Sequence, residues 1–240
     1  MVQKDAQASP ATRKADQVYT QIRREIEDGT LNPGQRMSEV WLVEHTGASR
    51  TPVRDALRRL AADELIILEP RQAPMVSPLS LRHIKDLFEF RRIVEVAALE
   101  EISVGASKSP RIFGEFSTLA ADFRELENSS DDADFTADFR RLTSKFDDLV
   151  ATNTHNQFLG RSILSLKPHT TRLRIIAHSD HARLRQSVQE HIEMCEAVAS
   201  GDLRSAGAAC RQHLIHVEKS ILTALINADS TGSQGIDIRS

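Results

Sequence analysis

The chain of 240 residues has only two cysteines, Cys195 and Cys210, and they form no CxxC pair. That scarcity excludes a disulfide framework and a cysteine-rich zinc site, and it fits a reducing compartment. No apolar run approaches the roughly 18 residues of a membrane span, and the polar start MVQKDAQASPATRKADQ lacks the hydrophobic stretch of a secretory leader. A cytoplasmic protein with no membrane partner is therefore expected. The net charge of −3 excludes a global basic field of the kind that binds nucleic acid without selection. Catalytic signatures are missing as well. None of the nine histidines follows a glutamate by three residues, and no GxSxG elbow, GxxxxGKS/T loop or GxGxxG fingerprint occurs. These absences argue against an enzyme, including the metal-dependent helical-bundle enzyme that is the nearest alternative.

What is present is an ordinary globular composition, 40% apolar and 27% charged, long enough for two domains without covalent staples. Residues 1–14 are polar and aperiodic, and read as a flexible arm. From Ala15 a helix is expected, with Val18, Ile22 and Ile26 on one face and Asp28-Gly29 at its end. The turn LNPG follows, then a helix capped by Ser38 and ended by Thr46-Gly47. Ser49 is the expected N-cap of a third helix, RTPVRDALRRLAADEL, with Pro52 in its first turn where a missing N–H is harmless. Val53, Ala56, Leu57 and Leu60 form its apolar stripe, while Arg50, Arg54 and Arg58 recur at i, i+4 on another face. Across positions 46–60 the arginines Arg50, Arg54, Arg58 and Arg59 meet a single acid, Asp55. Two short helices across a glycine turn, the second beginning in arginines, make a helix-turn-helix whose second helix enters the major groove of DNA. Leu65–Leu68 and Met75–Val76 then read as the two strands of a β-hairpin wing. The expected DNA-contacting residues are Ser49, Arg50, Thr51, Arg54 and Arg58, with Arg71 from the wing.

Residues 15–78 thus form the expected winged helix-turn-helix, and residues 79–228 carry helical periodicity almost throughout. Stretches near 110–127, 133–152, 156–178, 182–200 and 202–228 follow a long first helix and imply an antiparallel all-α bundle; residues 229–240 read as a flexible tail. Arg91 interrupts the apolar stripe Ile84, Leu87, Phe88, Val94, Ala98 and Leu99. Two readings fit it: an ion pair with Glu95, or a clamp on the carboxylate of a small effector. Arg140, His169 and Arg172 are lesser pocket candidates. Cys195 and Cys210 read as small buried apolar side chains.

The string GASRTPVRDALRRLAADELI, Gly47 to Ile66, resembles the recognition-helix signature of the GntR family of bacterial regulators. Downstream, DLFEFRRIVEVAALEEI, EHIEMCEAVASGDLRSA and ACRQHLIHVEKSI resemble the helical ligand-binding domain of its FCD (FadR-like) subgroup. Together they cover about residues 15–228. The resemblance implies a homodimer on a pseudo-palindromic DNA operator, and repression relieved by a small organic acid; a DNA-binding protein without effector control is the other reading. It also implies a divalent metal, zinc, nickel or manganese, held by an Asp-x-x-x-His pair and two later histidines. His191 and His213 match the later pair, whereas Thr143 and Asp147 stand where the family has Asp and His. Asp147, His191 and His213 remain as a reduced ligand set; a metal-free effector pocket that also includes Arg91 and Thr143, or plain surface histidines, are the alternatives. Family members further carry glycine where this chain has Glu64, and another near Ala73 in the wing turn.

Overall fold

A computed structural model describes residues 10–129, 133–177, 181–230 and 236–237. They divide into two compact units, with the boundary between Ser80 and Leu81.

The first unit begins with α1 (Pro10–Glu27), α2 (Glu39–Thr46) and α3 (Arg50–Ala62). α1 starts ahead of Ala15, because Pro10 is preorganised for the first helical position and nothing between Ala11 and Lys14 breaks a helix. The expected arm is thus helical from Pro10, and residues 1–9 lie outside the described residues. Val18, Ile22 and Ile26 of α1 pack on Val53, Leu57 and Leu60 of α3, with Leu42 of α2 closing the core. Ser38 caps α2 through its Oγ, which accepts from the Trp41 amide at 3.1 Å. Gly47 ends it in the left-handed region at φ 59°, a conformation glycine adopts without steric cost, and this allows α3 to start three residues later. β1 (Ile66–Ile67) and β2 (Met75–Val76) form the antiparallel wing, Ile66 facing Val76. The segment before α2 is stitched to β2 by backbone bonds: the Gly34 amide donates to the Val76 carbonyl, the Val76 amide to Gln35 and the Met37 amide to Pro74. β3 (Leu79–Ser80) pairs in parallel with β4 (Ile236–Asp237), which lies within the expected tail.

The second unit is a bundle of α4 (Leu81–Ala106), α5 (Pro110–Glu127), α6 (Ala133–Asn153), α7 (Gln157–Ala177), α8 (His181–Ala199) and α9 (Leu203–Ser230). α4 lies along α9 and α5 along α8, with α8 and α9 also in contact and α6 paired with α7. Phe88, Phe116, Phe123, Phe135 and Phe139 are wholly buried and dominate its core. α6 and α7 approach so closely that a Cβ at Gly160 would sit 2.6 Å from the Ala151 carbonyl oxygen. Short, capped connections keep the helices antiparallel: Ser109 accepts from the Ile112 amide before α5, and the Asp202 carboxylate accepts from the Arg204 and Ser205 amides before α9. Among the described residues, the all-α character of this half and the small strand pair after three N-terminal helices match the fold expected from the sequence.

Candidate DNA-binding surface and effector pocket

On α3 the apolar stripe is turned inward and the basic face outward: Ser49, Arg50, Thr51, Arg54 and Arg58 are all exposed. Ser49 takes the extended N-cap conformation, but its hydroxyl makes no capping bond. The expected side-chain cap is therefore absent at α3, which leaves that hydroxyl on the surface. Arg54 is not a loose cation. Its Nε and Nη2 donate to the two carboxylate oxygens of Glu39 on α2, both at 2.9 Å, a fork that fixes the guanidinium plane. The Arg54 bond, with Arg50 adding charge from further off, holds the Glu39 carboxyl below its ordinary pKa. Arg59 faces away from this surface: it bonds Asp16 at 2.6 Å and lies over the Tyr19 ring at 4.3 Å. Arg50 and Arg58 have no ion-pair partner among the described residues. In the wing, Arg71 is exposed at φ 64°, in the turn where the Gln72 amide bonds the Glu69 carbonyl after Pro70.

The helical unit encloses a small cavity between α4, α6, α7, α8 and α9. Its polar lining includes Arg91, Thr143, Arg174, Arg183, His191 and His213, with Thr170 and Ser187 between them, and residues such as Phe88 and Leu173 supply apolar wall. Each guanidinium has its own carboxylate. Arg91, 6% exposed, donates through Nε and Nη2 to the two oxygens of Glu95 at 2.7 and 3.2 Å. Burial opposes the Arg91 charge, but Glu95, helped by Asp147, raises its pKa on balance. Arg174 contacts both oxygens of Asp147, at 2.7 and 3.0 Å, through Nη2 alone. Arg183 donates to Glu190 Oε2 at 2.8 Å.

Glu190 is also held by His213 Nδ1 and His216 Nδ1, each at 2.6 Å. Burial works against its charge, yet His213, Arg183 and His216 together bring its pKa down to about 2. His191 is 3% exposed and ringed by Phe123, Phe139 and Phe146, with the His213 ring centroid 4.6 Å away. Desolvation, with His213 and Arg174 adding to it, holds the His191 imidazole well below its ordinary pKa. His213 is lowered too, burial outweighing the pull of Glu190. Since the Ser187 carbonyl can only accept, His191 Nδ1 carries the proton of the bond between them at 2.7 Å. The cavity thus has as many carboxylates about it as guanidiniums, three of each.

The N-terminal segment 14–76 matches the family model of bacterial regulatory proteins of the gntR family, and residues 86–216, more than half of the chain, match the FCD domain. The chain belongs to the GntR family, FCD subgroup. It is 25% identical over 83% of its length to the HTH-type transcriptional regulator YdhC of Bacillus subtilis, covering 87% of that protein. It is 23% identical over 90% to the HTH-type transcriptional repressor RspR of Escherichia coli, covering 92% of it. Among solved structures, Escherichia coli McbR/YncC matches with a TM-score of 0.69 at 19% identity over 89% of this chain and 98% of that one. A GntR regulator from Rhodococcus matches at 0.70 and 20%, over 88% and 99%. These two show the fold. Family and relatives are regulators of transcription, so this GntR protein is a DNA-binding regulator and not an enzyme. No helix among the described residues is long and apolar enough to cross a membrane.

The divalent metal implied by the resemblance does not fit the donors that this GntR chain supplies. Asp147 has both oxygens on Arg174, Thr143 has no charge and donates its hydroxyl to the Arg140 carbonyl, and His213 is engaged by Glu190. Among the described residues no three His, Cys, Asp or Glu side chains are grouped so as to hold a metal ion. The reduced set of Asp147, His191 and His213 is corrected accordingly: a guanidinium stands against the carboxylate that a metal would need. Arg91, for which two readings were open, pairs with Glu95 and also lines the cavity. Arg140 is exposed, Arg172 is buried and pushed down to about 10 by desolvation, and His169 leans on His83; none of the three lines the cavity. Cys195 and Cys210 are buried, with thiol pKa values raised by desolvation, as inert apolar groups would be.

Sequence reasoning missed Arg174, Arg183 and Glu190. One local signal existed on α8, where Arg183, Ser187 and His191 follow at i, i+4 and share a buried face. Arg174 likewise stands four residues after Thr170, another cavity residue.

Proposed function

We propose that this GntR regulator is a homodimeric repressor that leaves a pseudo-palindromic operator when a small carboxylate binds in the cavity of the helical unit. Residues 15–78 then act as the DNA-binding domain and 79–228 as the effector-binding and dimerisation domain. The observation that carries the effector reading is the cavity of the bundle lined by Arg91, Arg174 and Arg183. Guanidinium groups kept from water bind carboxylates through charge-assisted bonds, at a cost that a protein with no anion to recognise would avoid.

DNA contact is assigned to the exposed start of α3. Arg50 and Arg54 reach base edges or phosphates, Ser49 and Thr51 add hydroxyl contacts, Arg58 lies further along the groove, and Arg71 approaches from the wing. Glu39 holds Arg54 in one orientation, which lowers the entropy lost on contact. Repression, as opposed to activation, is supported by the names of relatives, RspR and the gluconate operon repressor of Bacillus licheniformis among them.

The test is a fluorescence-anisotropy titration of the protein on the DNA flanking its own gene, repeated with a panel of mono-, di- and tricarboxylates. One of them is expected to weaken binding in a saturable way. Operator affinity that no carboxylate alters would leave a DNA-binding regulator without effector control.

A further inference from the structure

A carboxylate that enters the cavity meets three guanidiniums which already have carboxylate partners, so an added anion must displace one of them or sit beside it unbalanced. The three partners are not held equally. Glu190 accepts from three residues, Arg183, His213 and His216. Glu95 receives a two-nitrogen fork from Arg91 and sits one helical turn along the same helix. Asp147 is held by one nitrogen, Nη2 of Arg174, from a different helix. Asp147 and Arg174 alone of the three pairs join two helices, and they are the most open, at 17% and 15% side-chain exposure against 15% and 7% for Glu95 and Arg91 and 9% and 8% for Glu190 and Arg183. Nε and Nη1 of Arg174 make no bond among the described residues, so this guanidinium still has an unused edge.

We propose that Arg174 is the residue that takes the effector's carboxylate, and that Asp147 occupies it in the effector-free protein as a built-in stand-in for the ligand. Binding is then an exchange of one carboxylate for another on a fixed guanidinium, and it uses no metal. This rests on the reading of the cavity as the effector site. The position that the resemblance assigns to a metal-ligating histidine becomes, in this chain, an internal competitor that sets the effector concentration at which the regulator responds.

The test is isothermal titration calorimetry of the full chain, with lactate, succinate and citrate as probes, after treatment with EDTA. At least one probe is expected to bind saturably, with no change when zinc or manganese is restored. Asp147→Asn removes the competitor and is expected to tighten binding by about tenfold, the inverse of the fraction of protein in which Arg174 is free. Arg174→Gln is expected to weaken it by about tenfold or more while the thermal transition is retained. Because an added positive charge would favour any anion, the double variant decides the origin of the gain. Combined with Arg174→Gln, the tightening from Asp147→Asn must vanish.

Unchanged or weaker binding in Asp147→Asn overturns the proposal, as does a gain that survives in the double variant or affinity that returns only with metal. Should Asp147→Asn fail to fold, Arg174→Gln alone still decides: undiminished affinity there, with a loss in Arg91→Gln, keeps the cavity as the effector site and overturns the exchange. No saturable binding of any probe to wild type or Asp147→Asn overturns both.

Discussion

The two halves of this regulator use arginine in opposite ways. On α3 the guanidiniums stand at the surface, Arg50 and Arg58 without an ion-pair partner among the described residues and Arg54 on the partly exposed Glu39. There a charge costs little, and a partner is readily exchanged for a phosphate or a guanine edge. Around the cavity of the helical bundle Arg91, Arg174 and Arg183 are largely taken out of water, and each is matched by a carboxylate at 2.8 Å or less. The same side chain therefore serves as an open contact in one unit and as a neutralised, ordered group in the other. Substitutions should separate the two uses, acting on DNA affinity at α3 and on stability at the most buried pair of the bundle, Arg183 and Glu190.

The largest effect is expected at Glu190. Glu190→Gln leaves the buried Arg183 guanidinium without its anion and should destabilise the helical unit by about 3–5 kcal/mol, read from urea denaturation. A loss below about 1 kcal/mol would show that the buried pairs are no better matched than surface ones. On α3, Arg50→Ala and Arg54→Ala should each weaken operator binding by about 1–3 kcal/mol while leaving the melting curve in place. If Arg54 holds α2 and α3 together rather than touching DNA, stability will fall instead of affinity, and the contrast between the units breaks there.

The next effect is one of pH. His191 and His213 have folded-state pKa values below the ordinary 6.5, so the folded protein binds fewer protons than the unfolded chain as pH falls. Their contribution is complete above pH 6.5 and is lost below it, by about 1.4 kcal/mol per pH unit for each ring until the lowered folded value is reached. His191→Gln should flatten the fall in melting temperature between neutral pH and about pH 5.5; an identical slope in wild type and variant would contradict the buried, neutral ring.

The smallest effect is expected just before the wing. Glu64 sits at φ 58°, in the left-handed region, where family members commonly carry glycine. Glu64→Gly should stabilise the N-terminal unit by about 0.5–1 kcal/mol, because relief of side-chain strain exceeds the added freedom of the unfolded chain. A destabilised variant would mean that the Ser77 hydroxyl, which donates to the Glu64 carbonyl at 2.7 Å, already holds this turn without strain.

The sequence made the N-terminal unit legible because its signals are local. Caps at Ser38 and Gly47, the stripe from Val53 to Leu60 and the arginine spacing on α3 all lie within a few residues of what they determine. The fork between Glu39 and Arg54 spans 15 residues and two helices, and no local pattern announces it. In the bundle, helix positions followed from periodicity, but the cavity is made by side chains from five helices. Asp147 meets Arg174 across 27 residues and His213 meets Glu190 across 23. Partner choice at such separations is fixed by helix packing, which is why a metal set was expected where an ion pair stands.

The join between α1 and α3 has a mechanical side. Arg59 of α3 reaches Asp16 and stacks on Tyr19, while the Tyr19 hydroxyl donates to Asp63 at 2.5 Å just past the end of α3. With Val18, Ile22 and Ile26 seated against Val53, Leu57 and Leu60 beneath them, α1 is splinted to α3 along several turns. A change in the tilt of α1 would therefore carry the exposed arginine face of α3 with it.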